Sequence, residues 1–191
     1  MKKIMFNDKY GLTQSVLDGR KTMTRRVISE KQRRWEIFKN GENSRNWDFP
    51  YQIIEKIAIA QSYQQLEKEI DRLGLPLNIK PEIYKSAGYK NKMFVSAYDM
   101  PHHIEMLNYH VERLQDITDE DCLREGISEF RPETITDSGV EVGELQGYTF
   151  QGGEIYATPR EAFAALIDKV SGKGTWESNP YVWVYLFKLI D

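Results

Sequence analysis

The sequence predicts a single mixed α+β domain in which helices surround a small β-barrel or a curved sheet. Predicted strands alternate with predicted helices, and the last strand, "NPYVWVYLFKL", is the nearly continuous apolar run typical of a strand buried on both sides. A chain of 191 residues, with 40% hydrophobic and 29% charged residues, suits one well-buried globular domain. This composition argues against a disordered chain and against a membrane protein.

The first quarter of the chain predicts a strand, a helix and a second strand. "KIMFN" has the pattern of a short strand, and Leu12 and Val16 lie one turn apart in a helix from about Asp8 to Asp18. Gly19 follows at the position where helix ends favour glycine. The segment "TMTRRVI" ends in β-branched residues, which predicts that it enters a strand.

The second quarter predicts two helices separated by a loop and a strand. "SEKQ", at residues 29–32, is a candidate capping box for a helix that carries Trp35 and Phe38, and "GENSRNWDFP" is a loop. "EKIAIAQSY" then predicts a strand that continues through Ala60. The helix that follows contains the apolar residues Leu66, Ile70 and Leu73.

The third quarter predicts extended structure around one short helix. "MPHHIEMLNYHVERLQDI" shows mixed alternation and predicts one or two strands. In "TDEDCLREG", Thr118 is the candidate N-cap and Gly126 ends the helix. The three acids lie in the first turn, where the positive end of the helix dipole stabilises negative charge. "ELQGYTFQGGEIYATP" predicts a hairpin that turns at Gly152 and Gly153.

The clearest helix of the sequence begins after Thr158. Thr158 is its N-cap, Pro159 is its first residue and Glu161 completes a capping box. The apolar residues on one face of this helix are Phe163, Leu166, Ile167 and Val170. We therefore expect the helix to pack on the core just before the final strand.

Positive charge is concentrated between Arg20 and Arg34, although the whole chain has a formal net charge of -3. This segment, the basic run, contains one acid, Glu30. Its cations are Arg20, Lys21, Arg25, Arg26, Lys31, Arg33 and Arg34. Charge distributed so unevenly suggests an anionic partner, with a solvated charged face as the alternative.

Three stretches of the chain resemble the ASCH domain family, and in particular its longer members from bacteria and their phages: "DGRKTMTRR", "VERLQDITDEDCLREGI" and "FAALIDKVSGKGTWESNPYVWVYLF". The family's glycine, lysine and arginine signature is matched by Gly19, Lys21 and Arg26. The resemblance implies a PUA-like β-barrel with a cleft that binds RNA or a modified nucleoside. The segments that look like insertions into a minimal domain are residues 29–49, 61–92 and 128–158.

Some small ASCH proteins are amidohydrolases that deacylate acetylated cytidine with a lysine, a threonine and a glutamate. The resemblance implies that these residues are Lys21, Thr24 and Glu125. A lysine has an ordinary pKa near ~10.4, and neighbouring cations and partial burial both favour its neutral form. A neutral Lys21 would activate Thr24 or a water, and Glu125 would pass the proton to the leaving amine. Lys21 and Thr24 are three residues apart, so they converge only if the chain turns there.

RNA binding by the basic run would use phosphate contacts and would weaken with salt. The arginines expected to make these contacts are Arg20, Arg25, Arg26, Arg33 and Arg34. Trp176 is the candidate for stacking on a base, with packing as its alternative role. A protein-interaction module with a vestigial pocket is a third interpretation of the chain.

Cysteine and histidine usage argues against a metal site and against a disulfide. Cys122 is the single cysteine, which excludes an intrachain disulfide, and we expect it in the core. His102, His103 and His110 do not predict a zinc site, and no cofactor is expected. No segment has the length needed to span a bilayer, and the first apolar run ends at Asn7, too short for a signal peptide. A reducing cytoplasm is the expected setting.

Overall fold

The computed structural model describes residues 1–34, 49–72, 81–136 and 139–191, which form a mixed α+β structure as predicted. The strands are β1 (Lys3–Ile4), β2 (Met23–Val27), β3 (Lys56–Ile59), β4 (His103–Arg113), β5 (Ser128–Phe130), β6 (Glu133–Thr136), β7 (Gly139–Val142), β8 (Gly147–Thr149) and β9 (Tyr181–Leu189). The α-helices are α1 (Leu12–Leu17), α2 (Tyr63–Arg72), α3 (Asp119–Arg124), α4 (Pro159–Ser171) and α5 (Thr175–Ser178), and residues 30–34 are also helical. The 3₁₀ turns are Pro81–Lys85, Ala87–Tyr89, Lys92–Phe94, Ala97–Asp99 and Leu114–Asp116.

Five strands form the central sheet in the order β1-β3-β4-β9-β2. β1 pairs with β3 in parallel, and the other pairs of this sheet are antiparallel. β9 lies between β4 and β2, and its residues 182–185 are all buried, so both of its faces are covered. This central position explains why its sequence is apolar without alternation. β4 is one long strand with a register shift between Met106 and Asn108.

The predicted helix starts agree with the caps that form. The hydroxyl of Thr118 accepts the backbone N–H of Asp121 at 3.2 Å, and Thr158 and Glu161 form the predicted capping box of α4. α4 packs against α3, α5 and β8, and α3 also contacts β2. The helices of the described ranges lack the combination of length and apolar character that crossing a membrane requires.

Two predicted elements differ from the structure. α1 begins at Leu12 rather than near Asp8, because residues 8–11 form a turn in which Gly11 has φ of +67°. The chain does turn at Gly152, with φ of +72°, but the predicted hairpin is reduced to one antiparallel bridge between Tyr148 and Tyr156, and β8 pairs with β5 instead. The positions of Trp35, Phe38 and Leu73 in the predicted helices lie outside the described residues.

The central sheet is open, with β1 and β2 at its two edges. Within the described ranges, no strand pairing closes this sheet into a barrel. The two edges nevertheless face each other, because Phe6, just after β1, and Thr24 of β2 line the same cavity. Across this gap, Arg26 Nη2 donates to the carbonyl oxygen of Met5 at 2.7 Å. The sheet is therefore curved, with a cavity between its edges.

Candidate functional site

The segment between α1 and β2 places Lys21 next to the end of α3. The backbone N–H of Lys21 donates to the carbonyl oxygen of Ser15 at 2.8 Å, and that of Thr22 donates to the carbonyl oxygen of Arg124 at 3.0 Å. Gly19, with φ of +72°, provides the left-handed residue that ends α1 and turns the chain toward the sheet. The position of Lys21 is thus determined by main-chain bonds to two helices.

Lys21 and Glu125 form a buried ion pair. Lys21 Nζ lies 2.6 Å from Glu125 Oε2 and donates to the carbonyl oxygen of Glu125 at 2.7 Å. The two side chains are 1% and 5% exposed. Glu125 is the C-cap of α3, so the helix that Thr118 begins also determines where this carboxylate lies. A lysine and a glutamate more than a hundred positions apart in sequence therefore meet in the core.

Arg25 joins this pair to two further carboxylates. Its Nη2 lies 2.7 Å from Glu112 Oε1 and 2.9 Å from Asp121 Oδ2, and its Nη1 lies 3.3 Å from Glu125 Oε1. Glu125 thus accepts from Lys21 with one oxygen and from Arg25 with the other. We call these five residues the buried charge network. The Arg25 side chain is fully buried, and its guanidinium is engaged by three carboxylates.

Burial changes the proton affinity of both cations. Burial lowers the pKa of Lys21, and the nearby Arg26 and Arg25 also lower it, while Glu125 opposes this shift. For Arg25, burial alone would lower the pKa, but Glu125 and Glu112 outweigh burial and the pKa is raised. A lysine with reduced proton affinity beside a carboxylate is an arrangement that can transfer protons.

A cavity of about 450 Å³ lies beside the free edge of β2, and we call it the β2 cavity. Its lining includes polar side chains from β2 and from the segments that face this edge, together with two aromatic rings. The residues that matter for recognition are Phe6, Asn7, Thr24, Arg26, Gln32 and Trp183. The volume lies within the range of small-molecule sites, roughly 300–1,000 Å³.

Two side chains on the β2 cavity have hydrogen-bonding capacity to spare. Thr24 is 6% exposed, and its hydroxyl makes no hydrogen bond within the described residues. Arg26 uses Nη2 to bind the carbonyl oxygen of Met5, but its Nε is buried without a partner in the described part of the chain. An unpaired buried donor is costly, and a ligand acceptor would remove that cost.

Thr24 lies on a different side of β2 from the buried charge network. Successive residues of a strand point to opposite faces, so Thr24 is directed away from the face that carries Arg25. The described residues contain no hydrogen bond from Thr24 to Lys21 or Glu125, and these two do not line the β2 cavity. Phe6 connects the two regions, because it lines the cavity and its ring centroid lies 6.0 Å from Lys21 Nζ. Lys21 and Glu125 therefore converge, with Thr24 on a neighbouring cavity wall.

An aromatic layer covers the sheet beside Thr24 and Arg26. Trp183 and Tyr185 of β9 lie opposite Arg26 and Thr24 in the strand register. The Phe49 ring centroid lies 4.7 Å from that of Trp183 and 3.8 Å from that of Tyr109. Burial raises the pKa of Tyr185, so its hydroxyl keeps its proton. Trp183 belongs to this layer and also lines the β2 cavity.

Three cations of the basic run that lie outside the core are close to neighbouring acids. Arg20 Nη2 lies 3.0 Å from Asp18 Oδ2, and both Arg33 and Arg34 lie 3.7 Å from carboxylate oxygens of Glu30. The run is therefore not a continuous positive surface. Its charge is divided between a buried half and an exposed half in which Arg33 and Arg34 share the single carboxylate of Glu30.

Trp176 has the contacts of a packing residue. Its ring meets that of Phe163 edge-on, with centroids 6.2 Å apart, and the Arg160 guanidinium lies 4.9 Å from its centroid. The backbone N–H of Trp176 donates to Asp168 Oδ1 at 2.8 Å. These contacts correspond to the alternative role of Trp176, since Arg160 occupies the ring that a base would need.

The three histidines each contact one carboxylate, within 3.0 Å. The pairs are His102 with Glu69, His103 with Asp191 and His110 with Glu112. In the described ranges, no group of three or more His, Cys, Asp or Glu side chains is arranged to hold a metal ion. Burial raises the pKa of Cys122 to about 12, so this thiol keeps its proton at neutral pH.

Sequence reasoning did not identify four residues of this region. Glu112 and Asp121 hold Arg25, and Asn7 and Trp183 line the β2 cavity. Strand alternation offered one signal, because a cation on the core side of β2 requires acids from another element. No comparable pattern marked Asn7.

Comparison of the chain with protein-family models, with curated proteins and with solved structures gives no match.

Proposed function

We propose that the β2 cavity binds a nucleoside, either free or as one residue of an RNA strand. The observation that carries this proposal is that Arg26 Nε and the Thr24 hydroxyl, both beside the indole of Trp183, make no hydrogen bond within the described residues. A nucleobase presents carbonyl and ring-nitrogen acceptors in a plane, which such donors can bind while an aromatic wall contacts the ring. The cavity volume of about 450 Å³ suits one nucleoside.

The pairing of Arg25 and Arg20 with acids favours a nucleoside over a long RNA contact surface. Arg25 is buried among three carboxylates, and Arg20 is paired with Asp18. An extended RNA site needs several free cations along a groove, because phosphate contacts supply most of its affinity. Base recognition inside the cavity therefore contributes more to our proposal than phosphate contacts along the basic run.

We also propose that the fold is PUA-like. This proposal is supported by the curvature that brings the two sheet edges to one cavity and by the hydrogen bond from Arg26 to Met5 across the gap. A closed barrel in the complete chain would need the edges to pair, directly or through other segments. The mouth between the edges is then the natural position for a ligand.

A second candidate function is deacylation of acetylated cytidine, which the contact between Lys21 and Glu125 favours. In this reaction a water attacks the acyl carbonyl carbon and loses one proton to the neutral Lys21 amine. The Lys21 ammonium passes that proton to the Glu125 carboxylate, the bond from the carbonyl carbon to the exocyclic nitrogen breaks, and Glu125 protonates the departing amine. The acyl group must reach Lys21 past Phe6, which lies between the cavity and the ion pair.

Calorimetric titration with cytidine and with acetylated cytidine tests the binding proposal. Thr24→Val keeps the shape of the side chain and removes its hydroxyl, so affinity should fall by roughly tenfold, the value of one hydrogen bond. Lys90→Ala, at an exposed site outside the described cavities, is the matched control and should bind like the unmodified protein. Absence of binding, or equal affinity in Thr24→Val, would refute a nucleoside site in this cavity.

Chromatographic detection of released cytidine tests the second candidate separately. Lys21→Met and Glu125→Gln should abolish hydrolysis while cytidine still binds, because both act on the reaction and not on cavity shape. Circular dichroism checks that each variant is folded. Hydrolysis that persists in folded Lys21→Met would exclude the lysine mechanism, and binding without any turnover would leave the binding function alone.

A further inference from the structure

A second concave site lies between α1 and α2, and we call it the α1–α2 cleft. Its volume is about 730 Å³, larger than that of the β2 cavity. The side chains used below are Leu17, Gln61, Lys68, Glu69, Arg72 and Leu189. This cleft takes no part in the function proposed above.

Gln61 presents an unsatisfied acceptor on this cleft. The residue is 5% exposed, and its Nε2 donates to Glu69 Oε2 at 3.2 Å, which fixes the orientation of the amide. Its Oε1 is buried and has no partner among the described residues. A buried carbonyl oxygen without a donor is destabilising, and a ligand that donates an N–H or O–H group would remove that cost.

The carboxylates around the cleft are already paired, with partners within hydrogen-bonding distance. The pairs are Asp8 with Lys92, Asp18 with Arg20, Glu69 with His102 and Asp191 with Lys56. Lys68 and Arg72 have no ion pair or hydrogen bond within the described part of the chain, although the charge of Arg72 reaches Asp18. Both are exposed and lie one turn apart on α2, so they form the positive rim of the cleft.

We propose that the α1–α2 cleft binds a nucleotide, with the base inside and the phosphate at the rim. The Gln61 carbonyl oxygen would accept a ring or exocyclic N–H of the base, and Lys68 and Arg72 would bind the phosphate. Leu17 and Leu189 supply apolar contact for a planar base, which a sugar phosphate would not use. The same chemistry fits a free mononucleotide and one residue of an RNA strand.

Calorimetric titration of the full chain with uridine monophosphate tests this site. Replacing both Lys68 and Arg72 by Ala should weaken binding about tenfold or more, because each charge-assisted contact to phosphate is strong. Lys85→Ala, at an exposed lysine outside the described cavities, is the matched control and should change nothing. The same titrations in a Thr24→Val background weaken any binding of the nucleotide at the β2 cavity, so a loss caused there by the Lys68 and Arg72 substitutions reports the α1–α2 cleft alone and separates failure of this proposal from failure of the first.

Two further probes test the orientation of the ligand. Gln61→Met should weaken uridine monophosphate but not ribose phosphate, and methylation of the uracil ring N–H should weaken binding to the unmodified protein in the same way. The methylated nucleotide keeps this test decisive if Gln61→Met does not fold. Equal binding of ribose phosphate, inorganic phosphate and the nucleotide would overturn base recognition, as would indifference to methylation.

A short oligouridylate distinguishes the two sources of the nucleotide. Tighter binding than uridine monophosphate, with the same loss in the Lys68 and Arg72 variant, assigns the cleft to RNA. Equal or weaker binding assigns it to the free nucleotide. Failure of both ligands to bind at millimolar concentration, or binding that survives the double substitution, would contradict the proposal.

Discussion

The two halves of the basic run have opposite environments. The side chains of Lys21 and Arg25 are 1% and 0% exposed, whereas those of Arg20 and Arg34 are 48% and 83% exposed. The buried half binds carboxylates from β4 and α3, and the exposed half binds acids within four residues along the chain. Cations that are neighbours in sequence therefore lie in different environments. Their summed charge does not predict a positively charged surface.

This difference has energetic consequences. Removing one partner of a buried ion pair leaves an uncompensated charge and costs about 3–5 kcal/mol, whereas an exposed pair contributes about 0–1 kcal/mol. We therefore expect substitutions in the buried half to change stability and proton affinity. Substitutions in the exposed half should have little effect on either.

The largest effect is expected for Arg25→Ala. This change leaves Glu112, Asp121 and Glu125 close together without their shared cation, so the free energy of unfolding should fall by about 3–5 kcal/mol. Urea denaturation followed by circular dichroism measures the loss. If Arg25→Ala were as stable as the unmodified protein, the buried charge network would not have the role assigned to it.

A smaller effect is expected for the contribution of Lys21 to the pH dependence of the free energy of unfolding. Burial lowers the pKa of Lys21, so the unfolded chain binds the lysine proton more readily than the folded protein does. Stability due to Lys21 should therefore rise with pH, by up to about 1.4 kcal/mol per pH unit, between the lowered pKa and the unfolded value near 10.4.

The comparison with Lys21→Met isolates this contribution. Cys122 and Tyr185 have raised pKa values, so they lower stability as pH rises through their unfolded values, but they do so in both proteins. The stability difference between the unmodified protein and Lys21→Met should grow in favour of the unmodified protein as the pH rises toward the unfolded lysine value near ~10.4. A constant difference would mean that Lys21 titrates alike in both states.

The smallest effects are expected for Arg20→Ala and Arg34→Ala. Each removes an exposed cation whose acid partner remains solvated, so unfolding free energies should change by no more than about 0.5 kcal/mol. Repeating the urea denaturation of these variants at high salt provides a second measurement, in which these small differences in the free energy of unfolding should shrink further because salt screens exposed charges. A loss comparable to that of Arg25→Ala would mean that the two halves of the run are not distinct.

Local sequence patterns predicted the elements whose causes are local. The Thr158 capping box, the Thr118 cap and the uninterrupted apolar run of β9 each depend on residues within one segment, and all three are observed. Strand alternation also indicated that the side chains of Lys21 and Thr24 would lie on opposite faces unless the chain turned between them. The hairpin at Gly152 was less predictable, because β8 has two possible partners, β5 and the segment after Gly153. It pairs with β5 and makes only one bridge, Tyr148 to Tyr156, to the later segment.

The partners of Arg25 could not be predicted, because they are set by long-range topology. Glu112 is 87 residues away and Asp121 is 96 residues away in sequence. The acids of α3 have a sufficient local explanation in the helix dipole, so nothing in the segment indicates that one of them turns inward. The meeting of Lys21 with Glu125 followed from the family resemblance and not from any pattern in the chain.

Protection of a cysteine placed in the β2 cavity tests the central claim most directly. Cys122 has a pKa raised to about 12 and is buried, so it provides a nearly unreactive background for Asn7→Cys. Cytidine should slow alkylation of Asn7→Cys in proportion to occupancy, and it should leave Lys90→Cys, at an exposed site outside the described cavities, unaffected. Unchanged alkylation of Asn7→Cys at saturating cytidine would contradict a nucleoside site between the edges of the sheet.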